Sequence, residues 1–106
     1  MKKGQRKKKR RIQERLPCNV DLVINDLFIC KAFDISESGM YVLTKQVFSP
    51  GSVVKITFFL NREKIEIHTK VNYCHEGIGI GIIFKDLDDE LKDKINELID
   101  TMKLST

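Results

Sequence analysis

The sequence of 106 residues contains no tryptophan, two prolines and only three cysteines. The cysteines, Cys18, Cys30 and Cys74, are odd in number, are widely spaced and form no C-x-x-C motif. This pattern argues against a disulfide framework and favours a reducing compartment. A zinc site requires four convergent ligands, whereas Cys74 with His75 is the one close pair of candidate ligands. We therefore expect no metal centre, and we expect the cysteines to behave as small apolar side chains.

Long apolar segments are also missing. No stretch approaches the roughly 20 apolar residues that span a bilayer, and the basic N-terminus is not followed by the apolar segment of a secretory signal. The sequence therefore predicts a cytoplasmic protein without a membrane span. An apolar content of 42% is enough for the core of one small domain.

Positive charge is concentrated at one end of the chain. Residues 1–15 contain nine lysines or arginines and one acid, Glu14, whereas residues 16–106 contain ten basic and fourteen acidic side chains. No apolar residue lies between Met1 and Ile12, so this segment buries too little surface to offset the entropy of ordering. We predict a flexible basic arm at residues 1–15 and a globular domain at residues 16–106. A folded nucleic-acid-binding surface would carry its cations on the domain itself, so the acidic domain disfavours a nucleic-acid partner.

Past Pro17 the apolar residues alternate with a period of two, which indicates short strands. Six such runs begin at Cys18, Leu27, Met40, Val53, Lys64 and Ile78. The segments between them have turn chemistry: Asn25-Asp26 and Asn61-Arg62 suit two-residue hairpin loops, and Ser49-Pro50-Gly51 suits a turn. We therefore predict that each strand pairs in antiparallel fashion with the next one along the chain.

The fifth run should have one buried and one wet face. Its predicted inner face comprises Ile65, Ile67, Thr69, Val71 and Tyr73, and its outer face Glu66, His68, Lys70 and Asn72. After Asp86 the apolar spacing changes to three and four residues, which predicts an amphipathic helix capped by Asp86 or Asp88 and ending near Lys103. The predicted fold class is mainly β: a six-stranded antiparallel barrel, plugged or flanked by one C-terminal α-helix.

Two short motifs carry the functional information: Arg11-Ile-Gln-Glu-Arg15, and Asp34-Ile-Ser-Glu-Ser-Gly39 between the second and third runs. An arginine can stack its flat cation on a purine and donate to N7, O6 or phosphate, so two in register suit an anionic purine dinucleotide. Asp34 and Ser36 on a tight turn supply acceptors. Alternatively, they satisfy only local backbone groups of an Asx-type turn. Another R-x-x-x-R occurs at residues 6–10, but only Arg11 and Arg15 adjoin the first strand, and the order and strand context favour a site.

The pair R-x-x-x-R and [D/N]-x-S-x-x-G resembles the signature of the PilZ domain, the bacterial receptor module for cyclic di-GMP. The resemblance implies that Arg11 and Arg15 grip the guanine bases and phosphates, that Asp34 and Ser36 hydrogen-bond the guanine edge, and that Gly39 allows close backbone approach. Arg10 is a secondary candidate for a third guanidinium, or else a solvated charge. The resemblance also gives Gly81 and Phe84, in the last strand, a packing role.

The remaining motifs indicate no catalysis. The run Gly77-Ile-Gly79-Ile-Gly81 resembles a phosphate loop but continues as a strand, so we interpret it as a strand with close backbone approach. Ser36 and Ser38 lack the context of a nucleophile, and residues 88–90 form the acidic first turn of a helix. We expect a non-enzymatic receptor, without a cofactor, that binds cyclic di-GMP and acts on an unidentified effector protein.

The alternatives are a PilZ-fold interaction module that binds no nucleotide and a nucleic-acid-associated protein with a basic tail. The sequence determines neither the oligomeric state nor the number of bound ligands.

Overall fold

The computed structural model describes residues 14–104 and contains a closed barrel of antiparallel strands followed by one helix. The elements are β1 (Leu16–Ile24), β2 (Phe28–Ile35), β3 (Gly39–Leu43), β4 (Val53–Leu60), β5 (Glu63–His75), β6 (Gly79–Phe84) and α1 (Asp89–Leu104). The predicted fold class is confirmed. The strands begin within one or two residues of the predicted positions, and β1 takes in Leu16 and Pro17 because Leu16 is buried and pairs with Ile35.

The predicted pairing of each strand with the next is wrong at one place. β3 does not pair with β4, because the barrel order is β1-β2-β3-β6-β5-β4. β3 pairs instead with β6, and β4 pairs with β1 as well as β5. The Ser49-Pro50-Gly51 turn forms, with the Ser52 N–H donating to the Ser49 carbonyl at 3.1 Å, but it belongs to the crossover of residues 44–52. Closure leaves no unpaired edge at β1 or β4.

The two predicted hairpin turns are confirmed by their backbone angles. Asn25 and Asp26 have φ of 54° and 59°, and Asn61 and Arg62 have φ of 52° and 71°. Positive φ at both central residues is the geometry of turns whose twist matches that of paired strands. These turns fix the registers of β1 with β2 and of β4 with β5.

The helix closes one end of the barrel. Its apolar residues Ile95, Leu98 and Ile99 are buried in the same core as the inward side chains of the strands. Of the two predicted caps, Asp88 serves, since its Oδ1 accepts the Leu91 N–H at 2.8 Å. Asn61 in the β4–β5 turn donates to Glu97 at 2.6 Å. The helix therefore lies at the barrel end that carries the β4–β5 and β2–β3 turns. Among the described residues, no helix is long and apolar enough to cross a membrane.

The predicted inner face of β5 is confirmed except at Tyr73. Ile65, Ile67, Thr69 and Val71 are buried. A β-bulge follows, because Val71 pairs with Ile82 while Tyr73 pairs with the adjacent Gly81. The extra residue, Asn72, interrupts the alternation of faces, so Tyr73 turns outward and is 40% exposed. The assignment of Tyr73 to the interior is therefore wrong.

Candidate functional site

The two sequence motifs meet at the start of the barrel. Arg15 Nη2 donates to Asp34 Oδ1 at 2.8 Å, across nineteen residues of sequence. The contact follows from antiparallel pairing, because Pro17 of β1 lies opposite Asp34 of β2 and Arg15 directly precedes that strand. The motifs R-x-x-x-R and D-x-S-x-x-G are thus joined by an ion pair through their last and first residues.

Asp34 is held from a second side. Its Oδ1 also accepts the backbone N–H of Tyr41 at 3.1 Å, next to a bulge of β2 against β3. The Arg15 side chain is 45% exposed, compared with 21% for Asp34. The hydrogen bond to Asp34 raises the pKa of Arg15 above its ordinary value, so the guanidinium stays charged. Asp34 therefore anchors a cation whose remaining donors and flat face are accessible.

Ser36 and Ser38 shape the turn between β2 and β3. Ser36 is fully buried, and its backbone N–H donates to the Gly39 carbonyl at 2.9 Å. Its hydroxyl accepts the Ser38 N–H at 3.3 Å and lies 3.5 Å from the Gly39 carbonyl oxygen. These are the contacts of the local-turn interpretation. The predicted hydrogen bond from Ser36 to a ligand stays a prediction.

Gly39 begins β3 where that strand lies against β6. A Cβ built at Gly39 would overlap the backbone carbonyl oxygen of Ile82. The close backbone approach foreseen at this position is therefore an approach of the neighbouring strand. Gly39 is thus required by strand pairing, whether or not a ligand also contacts it.

A cleft of about 160 Å³ lies beside this turn. Its walls include Arg15, Ser38 and Gly39 from the two motifs, together with Asn72, Tyr73 and Gly81 from β5 and β6. Sequence analysis missed Asn72 and Tyr73 as candidate site residues, because uninterrupted alternation places Tyr73 inside the barrel. The sequence feature that comes nearest to indicating these two residues is the glycine run of β6, which pairs with this part of β5. The glycine run does not show where the bulge in β5 lies.

A larger cavity, of about 730 Å³, lies at the opposite end of the barrel. Its lining includes Leu27 and Ile29 beside the β1–β2 turn, Leu43 and Lys45 after β3, and Ile78 before β6. None of the predicted site residues that the structure describes lies there. The cleft beside Arg15 is therefore the candidate site despite its smaller volume.

Two predicted site residues, Arg10 and Arg11, lie outside the described residues, and their contacts with a ligand stay predictions. Within residues 14–104, no group of three or more histidine, cysteine or acidic side chains is arranged to hold a metal ion. Cys30 is buried, and Cys18 and Cys74 are partly buried as free thiols.

Burial raises the pKa of the Cys18 thiol to about 11. We expect iodoacetamide to alkylate Cys18 at pH 8 on the order of 100-fold more slowly in the folded protein than in the urea-unfolded chain, where a thiol titrates near 8.5. Peptide mass spectrometry of timed samples measures both rates. The folded state holds the Cys18 proton more tightly than the unfolded chain does. The stability linked to this proton is therefore fully present below about pH 8.5 and is lost as the pH rises toward 11. Equal alkylation rates would show that the thiol is not protected by the fold.

Together, the barrel, its capping helix and the anchored arginine beside an open cleft define a small β-barrel module suited to binding an anionic ligand. The model of the PilZ domain family matches residues 5–101 of this chain. The chain belongs to the PilZ domain family, which is a family of cyclic di-GMP receptors. No curated protein matches the sequence.

Several solved structures share the fold, and three of them illustrate the range of similarity. The Bacillus subtilis inhibitor of motility MotI matches with a TM-score of 0.76 at 14% identity, over 92% of this chain and 53% of its own. The PilZ domain of CeSA, from a cellulose-synthesising bacterium, matches with a TM-score of 0.66 at 18% identity, over 85% and 98% of the two chains. An uncharacterised Legionella protein matches with a TM-score of 0.61 at 15% identity, over 87% and 96%. The present chain thus spans about half the length of MotI.

Proposed function

We propose that this chain is a non-enzymatic receptor for cyclic di-GMP and that binding changes the surface it offers to an effector protein. The observation that carries the proposal is the 2.8 Å ion pair between Arg15 and Asp34. It brings the two family motifs together at the mouth of a cleft. The chain belongs to the PilZ family because the family model matches residues 5–101.

The ligand carries two negative charges and two guanine bases. Arg15 presents a cation that is 45% exposed, so it can donate to a guanine acceptor or a phosphate while Asp34 holds its position. The Asp34 carboxylate is an acceptor for the N–H groups of a guanine edge. Arg11 would add a second guanidinium from the basic arm, and Arg10 a third. Ser36 and Gly39 contribute by keeping the turn between β2 and β3 tight.

Isothermal titration of the full chain tests the proposal directly. Cyclic di-GMP should bind saturably, whereas GTP and cyclic GMP, titrated under the same conditions, should bind far more weakly. A steep salt dependence shared by all three nucleotides would support the basic-tail alternative instead. An absence of heat with every nucleotide would support the interaction module that binds none.

We further expect the ligand to order the basic arm. Residues 5–15 contain Ile12 as their one large apolar residue, so they should gain order mainly from contacts between arginines and the ligand. Hydrogen exchange should be fast at residues 5–15 without cyclic di-GMP and slow with it. Ordering these residues should reduce the free energy of binding by roughly 2–5 kcal/mol. This ordering is the proposed conformational signal to the effector.

The Asp34–Gly39 turn is the internal control for the hydrogen-exchange experiment, because hydrogen bonds within the turn order it without a ligand. If the ligand slows exchange at this turn but leaves residues 5–15 unchanged, the site is supported and the switch is wrong.

A further inference from the structure

A set of exposed aliphatic side chains surrounds the 730 Å³ cavity at the barrel end opposite the candidate site. Leu27, Ile29 and Ile78 line this cavity and are 68%, 87% and 62% exposed, and Leu43 at the end of β3 also lines it. Three separate parts of the chain thus present aliphatic groups around one opening. Soluble monomers rarely expose a contiguous apolar patch larger than a few hundred Å². This surface is therefore suited to being covered by protein.

The rim and the floor of the cavity are held in place by the fold. The Thr44 N–H donates to the Ile78 carbonyl at 3.1 Å, and the Thr44 hydroxyl accepts the Gln46 N–H at 3.1 Å. Phe28 lines the cavity and packs edge to face against Phe48, with ring centroids 6.1 Å apart. Both rings pack against the barrel core. Because this surface is already ordered, covering it costs less conformational entropy than ordering a loop would.

Two charged side chains of opposite sign lie beside the aliphatic groups. Lys45 lines the cavity, and Glu76 directly precedes Gly77, which lines it too. Both side chains are exposed, and within residues 14–104 neither forms an ion pair or a side-chain hydrogen bond. A surface that carries both signs of charge can meet a copy of itself with each cation facing an anion, as an interface between identical surfaces requires. A partner with one sign of charge would leave Lys45 or Glu76 unpaired.

We propose that this end of the barrel is the interface of a symmetric homodimer, in which Ile29 of each copy packs into the cavity of the other and Lys45 of each copy faces Glu76 of the other. Nine residues line the cavity, fewer than the roughly 20–30 residues a side of a stable interface. The dimer should therefore be weak and should depend on protein concentration. The proposal goes beyond the receptor function and does not depend on it, because the cleft beside Arg15 lies at the opposite end and stays open in both copies.

Sedimentation velocity of the full chain without nucleotide measures this association. The wild type should shift from monomer toward dimer as its concentration rises. Ile29→Lys should weaken the dimer by at least about tenfold, because it places a charge among aliphatic groups and close to Lys45. The Ile29 side chain points away from the core, so thermal melting should show that the fold is retained. A wild type that is monomeric at every concentration would overturn the dimer and leave the receptor function standing.

Phe59→Lys is the matched control. Phe59 is an apolar strand residue that is 66% exposed on β4, and it does not line the cavity. Phe59→Lys therefore adds the same charge on another part of the surface, and it should dimerise like the wild type. Equal losses of dimer in Ile29→Lys and Phe59→Lys would overturn the proposed interface, since net charge alone would then explain both.

A charge exchange tests the pairing between the two copies. Lys45→Glu places acids opposite acids and Glu76→Lys places bases opposite bases, so each should weaken the dimer by at least about fivefold. The double variant Lys45→Glu/Glu76→Lys should dimerise within about twofold of the wild type, because the pairs form again with their charges exchanged. A double variant no stronger than the single variants would overturn the symmetric arrangement.

Nucleotide titration shows whether the two ends of the barrel are independent. Ile29→Lys should bind cyclic di-GMP with the affinity of the wild type, because Ile29 does not line the cleft beside Arg15. A wild type that dimerises but binds no cyclic di-GMP would support the dimer and contradict the receptor function.

Discussion

Replacement of Arg15 by alanine is expected to lower the affinity for cyclic di-GMP by at least about 30-fold, because a charge-assisted hydrogen bond contributes roughly 1.5–3 kcal/mol and a cation stacked on a base adds to it. The fold should survive. The Arg15 side chain is 45% exposed, and an exposed ion pair contributes only about 0–1 kcal/mol to stability. Isothermal titration and a thermal melt of the same preparation measure both quantities.

Arg62→Ala is the matched control. Arg62 is exposed in the β4–β5 turn, and it does not line the cleft beside Arg15. The backbone at residue 62 is left-handed, with φ of 71°. Alanine has a Cβ as arginine does, so Arg62→Ala should not change the backbone strain at this position. Affinity should be unaffected by Arg62→Ala. A loss of binding similar to that of Arg15→Ala would mean that total positive charge, rather than a site, holds the ligand.

The conservative variant Arg15→Lys tests the chemistry of the contact. It keeps the charge but loses the planar fork of donors, so we expect at least about a tenfold fall in affinity if stacking and bidentate bonding matter. Titration at low and high salt separates this loss from screening. Full retention of affinity in Arg15→Lys would favour a nonspecific basic tail.

The second large effect is expected at Gly39. Gly39→Ala should destabilise the domain by at least about 3 kcal/mol, because the new methyl group overlaps the Ile82 carbonyl and forces β3 and β6 apart. Tyr41, whose backbone N–H donates to Asp34, follows Gly39 by two residues in β3. A displacement of β3 should therefore lower ligand affinity as well. Urea unfolding followed by circular dichroism measures the change in stability.

Gly51→Ala is the comparison that isolates this clash. Gly51 has φ of 92°, and a Cβ built there meets nothing within 4 Å. Its replacement should cost only the backbone strain of about 1–2 kcal/mol. If Gly39→Ala is no more destabilising than Gly51→Ala, the close contact between the two strands is not what requires glycine.

The sequence determined the local structure of this protein. The period-two runs identified the strands, the spacing of three and four residues identified the helix, and paired turn residues such as Asn25 and Asp26 identified two hairpins. Each of these signals depends on residues that are close in sequence, because strand and helix periods arise from the geometry of a single element. The two motifs likewise pointed to Arg15 and Asp34 before any contact between them was known.

The tertiary structure decided the strand order and the composition of the cleft. The pairing of β3 with β6 and of β1 with β4 joins residues that are far apart in sequence, and it follows from closure of the sheet rather than from any turn. The bulge at Asn72 depends on how β5 fits against β6, yet it alone moves Tyr73 from the core to the rim of the cleft. A local pattern does not encode either outcome, because both arise from the register between strands, and one additional residue in that register reverses the face of every side chain beyond it.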